Sequence, residues 1–275
     1  MWRSRLLPSC FAQLVRSTVV VDKAYNLFDR LRSKIVRSCA SDAFYDVYNN
    51  LTYSRQLIYR PENKAFRSSL FAFEERTFTR HFPPPPATVL IGAAGGGREA
   101  FALARRGYQI VAFEPARAVA ASMASACRES RIEILVGRYE GLPFVNSLTQ
   151  PPVAVDLRSR APFDAAILGW ISFSHLRSDE RCIEALRQIG NLTMGPILVS
   201  AQPPTRSIGF SVHMGHYRGL SSAEIGKLAE RAGLAVLHVD ETDNWSYAVV
   251  ASPTRYENIS HSDTDPTAVR GTYSR

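Results

Sequence analysis

The chain is poor in the residues that staple a fold or anchor it in a membrane. It has four cysteines in 275 residues, Cys10, Cys39, Cys127 and Cys182, far apart and without a C-x-x-C pair. This excludes a disulfide framework and a cysteine-type zinc site, and it predicts a reduced, cytoplasmic chain. No run approaches the roughly 18 unbroken apolar residues that a membrane span needs. Arg3 and Arg5 precede an apolar stretch in the manner of a signal peptide, but Pro8, Gln13 and Arg16 interrupt it, so the chain reads as soluble and untargeted. Internal repeats are absent. Glycine and proline, 16 of each, are too few for a collagen-like or low-complexity chain, and with 45% hydrophobic residues the composition is globular.

Acidic charge is in deficit, 25 Asp and Glu against 33 Lys and Arg, for a net charge of +8. The excess sits mostly in residues 1–40, where Arg3, Arg5, Arg16, Lys23, Arg30, Arg32, Lys34 and Arg37 face only Asp22 and Asp29. Such a segment reads either as a contact for nucleic acid or a membrane surface, or as the solvated face of a helix. Lysine supplies only 4 of the basic residues, a whole-chain bias that weakens inference from any single arginine.

The apolar spacing divides the chain. Residues 22–38 have helical periodicity through Ala24, Leu27, Phe28, Leu31 and Ile35. Phe66, Leu70, Phe73 and Phe78 mark a second, aromatic helix, either a lid or plain packing. Pro83–Pro86 forbid helix and central strand alike and mark a linker, so residues 1–82 read as a basic helical appendage. From residue 87 to 252 strands and helices alternate. Strands are expected at 88–91, 109–113, 132–136, 163–168, 196–200, 235–239 and 247–251, with helices after Gly97, after Pro115, over 179–189 and from the capping box Ser221–Glu224. The expected fold is α/β, a Rossmann-like, mostly parallel seven-stranded sheet covered on both faces. Residues 253–275 are polar and aperiodic and are expected to be a disordered tail.

The chemistry is concentrated where the first strand ends. Gly92-Ala93-Ala94-Gly95-Gly96-Gly97 lets the backbone turn sharply and admits a ligand without Cβ interference. The loop lacks the Lys-Ser/Thr pair of a phosphate-binding loop, which argues against nucleotide hydrolysis. Glu114 follows at the tip of the second strand, where a carboxylate can accept from both hydroxyls of a ribose. Ligands of such sheets bind at the carboxyl ends of the strands, near the switch point. The loop and the acid together point to a nucleoside.

At these residues the chain resembles the class I S-adenosylmethionine-dependent methyltransferases. Their pattern of acid-x-Gly-x-Gly-x-Gly falls on Ile91-x-Ala93-x-Gly95-x-Gly97, and Glu114 is their second acid. Residues Leu135–Phe144, with Leu142-Pro143-Phe144, and Phe163–Gly169 resemble the family segments after the third strand and at the fourth. The resemblance covers about residues 87–252 and implies S-adenosylmethionine as cofactor, held by Gly92, Ala93, Ala94, Gly95, Gly97, Glu114, Pro115, Arg138, Tyr139 and Gly169. It also implies a last strand that runs antiparallel. Three positions depart from the pattern. Ile91 replaces the first acid, Ala93 the first glycine, and Arg138 the aspartate that accepts from adenine. A guanidinium accepts nothing, so the backbone at Tyr139 is the expected adenine contact.

Methyl transfer from a sulfonium demands positioning more than a catalytic group, and a base only where the acceptor is protonated. Weak acceptor-side candidates are His175, His213 and Tyr217. His175 reads either as a base or as a bonded structural histidine, and Trp170 either as packing or as a substrate wall. His213 and His216 are three apart, but Gly215 and Gly219 spoil a helix there and no carboxylate accompanies them, so no metal is expected. The expected function is methyl transfer to a small-molecule acceptor, since no continuous basic-aromatic groove for nucleic acid exists outside the N-terminus. Two alternatives stay open. Gly95-x-Gly97-x-x-Ala100 also fits a dinucleotide fingerprint, hence an NAD(P)-dependent oxidoreductase. The losses at Ile91 and Arg138 fit a non-catalytic relative that binds a partner or RNA through its basic N-terminus.

Overall fold

The computed structural model describes Leu27, Leu51, Tyr53 and residues 70–204, 218–241 and 245–253. Of the two compact units into which the chain divides, all of these except Leu27 belong to the one spanning Tyr48–Pro204 and Arg218–Arg275. The expected helix over 22–38 (apart from Leu27), Phe66, the tail beyond residue 253, His213, His216 and Tyr217 lie outside the described residues.

The unit is built on one sheet with strands β1 (Thr88–Gly92), β2 (Gln109–Glu114), β3 (Ile132–Val136), β4 (Phe144–Asn146), β5 (Ala154–Asp156), β6 (Ala165–Leu168), β7 (Ile197–Ala201), β8 (Ala235–Glu241) and β9 (Ser246–Ala251). Their order is β5-β4-β3-β2-β1-β6-β7-β9-β8. β3, β2, β1, β6 and β7 are parallel, and β9 runs antiparallel between β7 and β8. The sheet thus has nine strands where the sequence led to seven. The two extra strands, β4 and β5, extend it antiparallel beyond β3. Each has three residues, too short for periodicity to register.

Among the described residues five helices cover it: α1 (Ala72–His81), α2 (Arg98–Ala104), α3 (Arg117–Ala126), α4 (Asp179–Leu192) and α5 (Ser222–Arg231). Alternate residues of a strand face opposite sides, so β1 sends Val89 and Ile91 to one core and Leu90 to the other. The first core collects Phe73 and Phe78 of α1, Ala100 and Leu103 of α2 and Met123 of α3. The second collects Leu186 and Ile189 of α4 and Ile225 and Leu228 of α5. Ser221 caps α5 as its sequence indicates, its Oγ accepting from Glu224 N–H while Glu224 Oε2 accepts from Ser221 N–H at 2.7 Å. The strand starts are locked where Asp164 Oδ2 accepts from the N–H of Thr88 at 2.7 Å and from its hydroxyl at 2.8 Å.

α1 bears on the place of the prolines in the chain. It lies before Pro83–Pro86, yet Phe73 and Phe78 are buried with residues of β1, β2 and β6. The prolines thus join two elements whose side chains share one core. A stiff extended segment is as good a spacer within a unit as between units, so composition could not separate the two.

Candidate functional site

β1 hands the chain to β2 on one side and meets β6 on the other, so the order reverses between β1 and β6. At such a point the loops leaving the two strands diverge and leave a crevice. The loop leaving β1 is the glycine loop. Its turn uses positive φ at Ala93 (50°), Gly95 (54°) and Gly97 (88°), the last being the residue before α2. Gly97 N–H donates to Ala94 O at 2.9 Å, and Ala94 N–H to Phe113 O at 3.1 Å, which pins the loop to β2. Gly169, just past β6, donates to Gly92 O at 2.8 Å, and a Cβ on it would lie 2.7 Å from Ala93 O and 2.8 Å from Gly92 O. The glycine at 169 is thus required by the approach of two backbones.

Glu114 closes β2 beside this loop. Its Oε2 accepts from Gly95 N–H and its Oε1 from Ala116 N–H, both at 2.9 Å. It forms no ion pair among the described residues. Burial pushes its carboxyl up to about 7, with the two backbone N–H bonds pulling the other way. Each oxygen has one protein donor and lone-pair capacity for another, which matches the two hydroxyls of a ribose. Pro115, half-buried, turns the chain from Glu114 into α3.

The structure brings Gly92, Ala93, Ala94, Gly95, Gly97, Glu114, Pro115, Arg138, Tyr139 and Gly169 to the carboxyl ends of four neighbouring strands, β1, β2, β3 and β6. Tyr139 differs from the rest in how its side chain is used. The ring is buried edge-on to Phe113, at 5.5 Å between centroids, and a Cβ on Gly92 would lie 2.5 Å from it. Its hydroxyl shares a hydrogen bond of 2.7 Å with Ser172 Oγ, so the side chain ties the segment after β3 to the turn after β6. Burial raises the phenol far above its ordinary range. His175 shares a hydrogen bond of 2.7 Å between its Nε2 and Tyr53 Oη, the partner that a structural histidine needs. Ile91, at the position of the absent acid, is fully buried among apolar side chains of the first core.

One buried assembly went unread in the sequence. Arg98, the first residue of α2, donates to both oxygens of Glu74 at 2.6 Å and to Glu99 Oε1 at 2.7 Å. All three side chains are within 4% of complete burial. Burial works against the guanidinium's charge, and the pull of Glu99 with the bonds to Glu74 outweighs it, raising its pKa. Burial raises Glu74 as well, against its bonds from Arg98. Glu74 Oε2 also accepts from Phe71 N–H at 2.7 Å, which caps α1. The Phe71 ring lies 3.8 Å from the guanidinium and contacts Trp170 and Trp245. Trp170 is therefore packed in an aromatic cluster. The only signal for this assembly was an acid two residues past the loop, since Glu74 lies beyond the prolines.

No family model matches the chain, and no curated protein matches it significantly. Solved structures do. A methyltransferase in complex with the Trm112 methyltransferase activator of Haloferax volcanii matches with a TM-score of 0.52 at 15% identity, covering 66% of this chain and 88% of that one. A TehB-like S-adenosylmethionine-dependent methyltransferase from Corynebacterium glutamicum matches at 0.50 and 15%, covering 74% and 98%. An S-adenosylmethionine-dependent methyltransferase from Aquifex aeolicus matches at 0.50 and 14%, covering 64% and 87%. The fold is the Rossmann-like fold of the class I methyltransferases, as the resemblance implied. Among the described residues no helix is long and apolar enough to cross a membrane, and no group of three His, Cys, Asp or Glu is placed to hold a metal.

Proposed function

We propose that the protein is a methyltransferase that binds S-adenosylmethionine and transfers its methyl group to a small-molecule acceptor. The observation that carries this reading is the Glu114 carboxylate, set against the glycine loop and engaged by two N–H groups and, among the described residues, by no cation. The donor set fits the ligand. Glu114 accepts the ribose hydroxyls, the backbone at Tyr139 serves adenine, and the turn at Gly95 leaves no Cβ in the ligand's path. The bound cofactor supplies an activated methyl group on a sulfonium. The chain's task is to hold the nucleoside and orient the acceptor at the open end of the crevice, so no step requires a protein nucleophile.

Calorimetry with S-adenosylhomocysteine and with NAD, on wild type and Glu114→Ala, tests the reading. Binding of S-adenosylhomocysteine by wild type, weakened at least about tenfold in the variant, is expected, because a charged acceptor to hydroxyls contributes about 1.5–3 kcal/mol. Binding of NAD alone would assign the fold to the oxidoreductase alternative. Equal affinity in the variant would remove the ribose role of Glu114.

A further inference from the structure

Glu99 has an arrangement that packing alone does not require. The residue is 3% exposed, yet only Oε1 is bonded, accepting from Arg98 Nη2 at 2.7 Å and from Trp170 N–H at 3.3 Å. No described residue donates to Oε2. Trp170 is the second residue past β6, so the carboxylate lies at the β6 side of the glycine loop, while Glu114 lies at its β2 side. Two buried carboxylates thus straddle the loop. The one on the β6 side belongs to a cluster of two carboxyl groups around one guanidinium, which holds an excess negative charge unless it takes up a proton or a cation. An unbalanced buried charge is costly, and a ligand cation with N–H donors relieves both the charge and the open lone pairs of Oε2.

The cofactor of the proposed function offers such a group. S-adenosylmethionine ends in an amino acid that carries an ammonium, and with its ribose at Glu114 a course along the loop would bring that end to the β6 side, where Glu99 lies. Ile91 has no acceptor to give it. We propose that Glu99, from the first turn of α2, receives that ammonium, so that α2 carries the recognition of the amino acid end that β1 does not. The inference rests on S-adenosylmethionine being the ligand.

The test compares S-adenosylhomocysteine with 5′-methylthioadenosine, which keeps the nucleoside thioether and lacks the amino acid. Calorimetry on wild type and Glu99→Gln is expected to show S-adenosylhomocysteine weakened about tenfold or more and 5′-methylthioadenosine changed less than about twofold. Retained 5′-methylthioadenosine binding also reports that the variant is folded. Equal weakening of both ligands would mean that Glu99 only supports the loop, and unchanged S-adenosylhomocysteine affinity would mean that the ammonium goes elsewhere; either overturns the proposal. A measurement on wild type alone makes the result independent of the variant's folding. S-adenosylhomocysteine with its amino group acetylated should bind about as weakly as 5′-methylthioadenosine, and binding as tight as the parent overturns the proposal. If neither ligand binds wild type, the cofactor reading fails first, and this inference with it.

Discussion

Glu114 and Gly95 are joined by a hydrogen bond of 2.9 Å from the loop N–H to Oε2, so the acid that would hold a ribose also holds the loop in shape. Gly95 has a φ of 54°, in the left-handed region. Gly95→Val would place a branched side chain in that region at a cost of about 1–3 kcal/mol and thrust Cβ groups toward the crevice. S-adenosylhomocysteine binding is expected to vanish by calorimetry. Binding at wild-type strength would show that this loop does not face the ligand.

The elevated carboxyl of Glu114 predicts a pH dependence with a defined sign. Hydroxyl donors favour the ionised form, so affinity for S-adenosylhomocysteine should rise as pH climbs through about 7 and level off above it. Glu114→Gln should flatten the curve. Stability of the free protein moves the other way. The folded state retains a proton that the unfolded chain has released above about 4.5, so this group's contribution is greatest below that pH. It falls as pH rises to about 7, by on the order of 3 kcal/mol. Urea denaturation at pH 5 and pH 8 with wild type and Glu114→Gln measures the difference, and identical pH dependence in the two proteins would contradict it.

Ala93 holds a φ of 50° where glycine would be at ease. A left-handed L-residue costs about 1–2 kcal/mol, and glycine returns about 0.5–1 kcal/mol of that through its freer unfolded chain. Ala93→Gly is therefore expected to raise stability by about 0.5–1 kcal/mol, and Ala93→Val to lower it by about 2 kcal/mol or more. The midpoint of urea unfolding at constant slope reads both. A midpoint lowered by Ala93→Gly would mean that the turn is unstrained.

Arg98→Met leaves Glu74 and Glu99 buried together without their cation, and should destabilise by about 3–5 kcal/mol. Adding Glu74→Gln to Arg98→Met should recover part of the loss, because one buried charge is then removed. Thermal unfolding of the single and double variants would contradict this if the double were no more stable than Arg98→Met alone.

The glycine loop and Glu114 could be read from the sequence because each is fixed by local rules: a turn with positive φ demands glycine, and the acid follows from the length of one helix and one strand. Ser221 and Glu224 were legible for the same reason, since their bond spans three residues. Arg98 was not, because its partner Glu74 is 24 residues away across the prolines, and nothing in the intervening sequence says that the chain folds back. β4 and β5 escaped because three residues have no period. Tyr139 stands out in the sequence only for its backbone, and the work of its ring under Gly92 shows only when the chain ends of β1 and β3 are brought together across β2.

β9 occupies an interior place in the sheet although it is the last strand among the described residues, and all six of its residues are buried. While the ribosome is still upstream of Ser246, β7 has an unpaired flank of five apolar or small residues that are wholly enclosed in the finished unit. The growing polypeptide must shield that flank until Ser246–Ala251 emerges, and a message that stops before Ser246 would release a product with a sticky edge open to a neighbour's backbone.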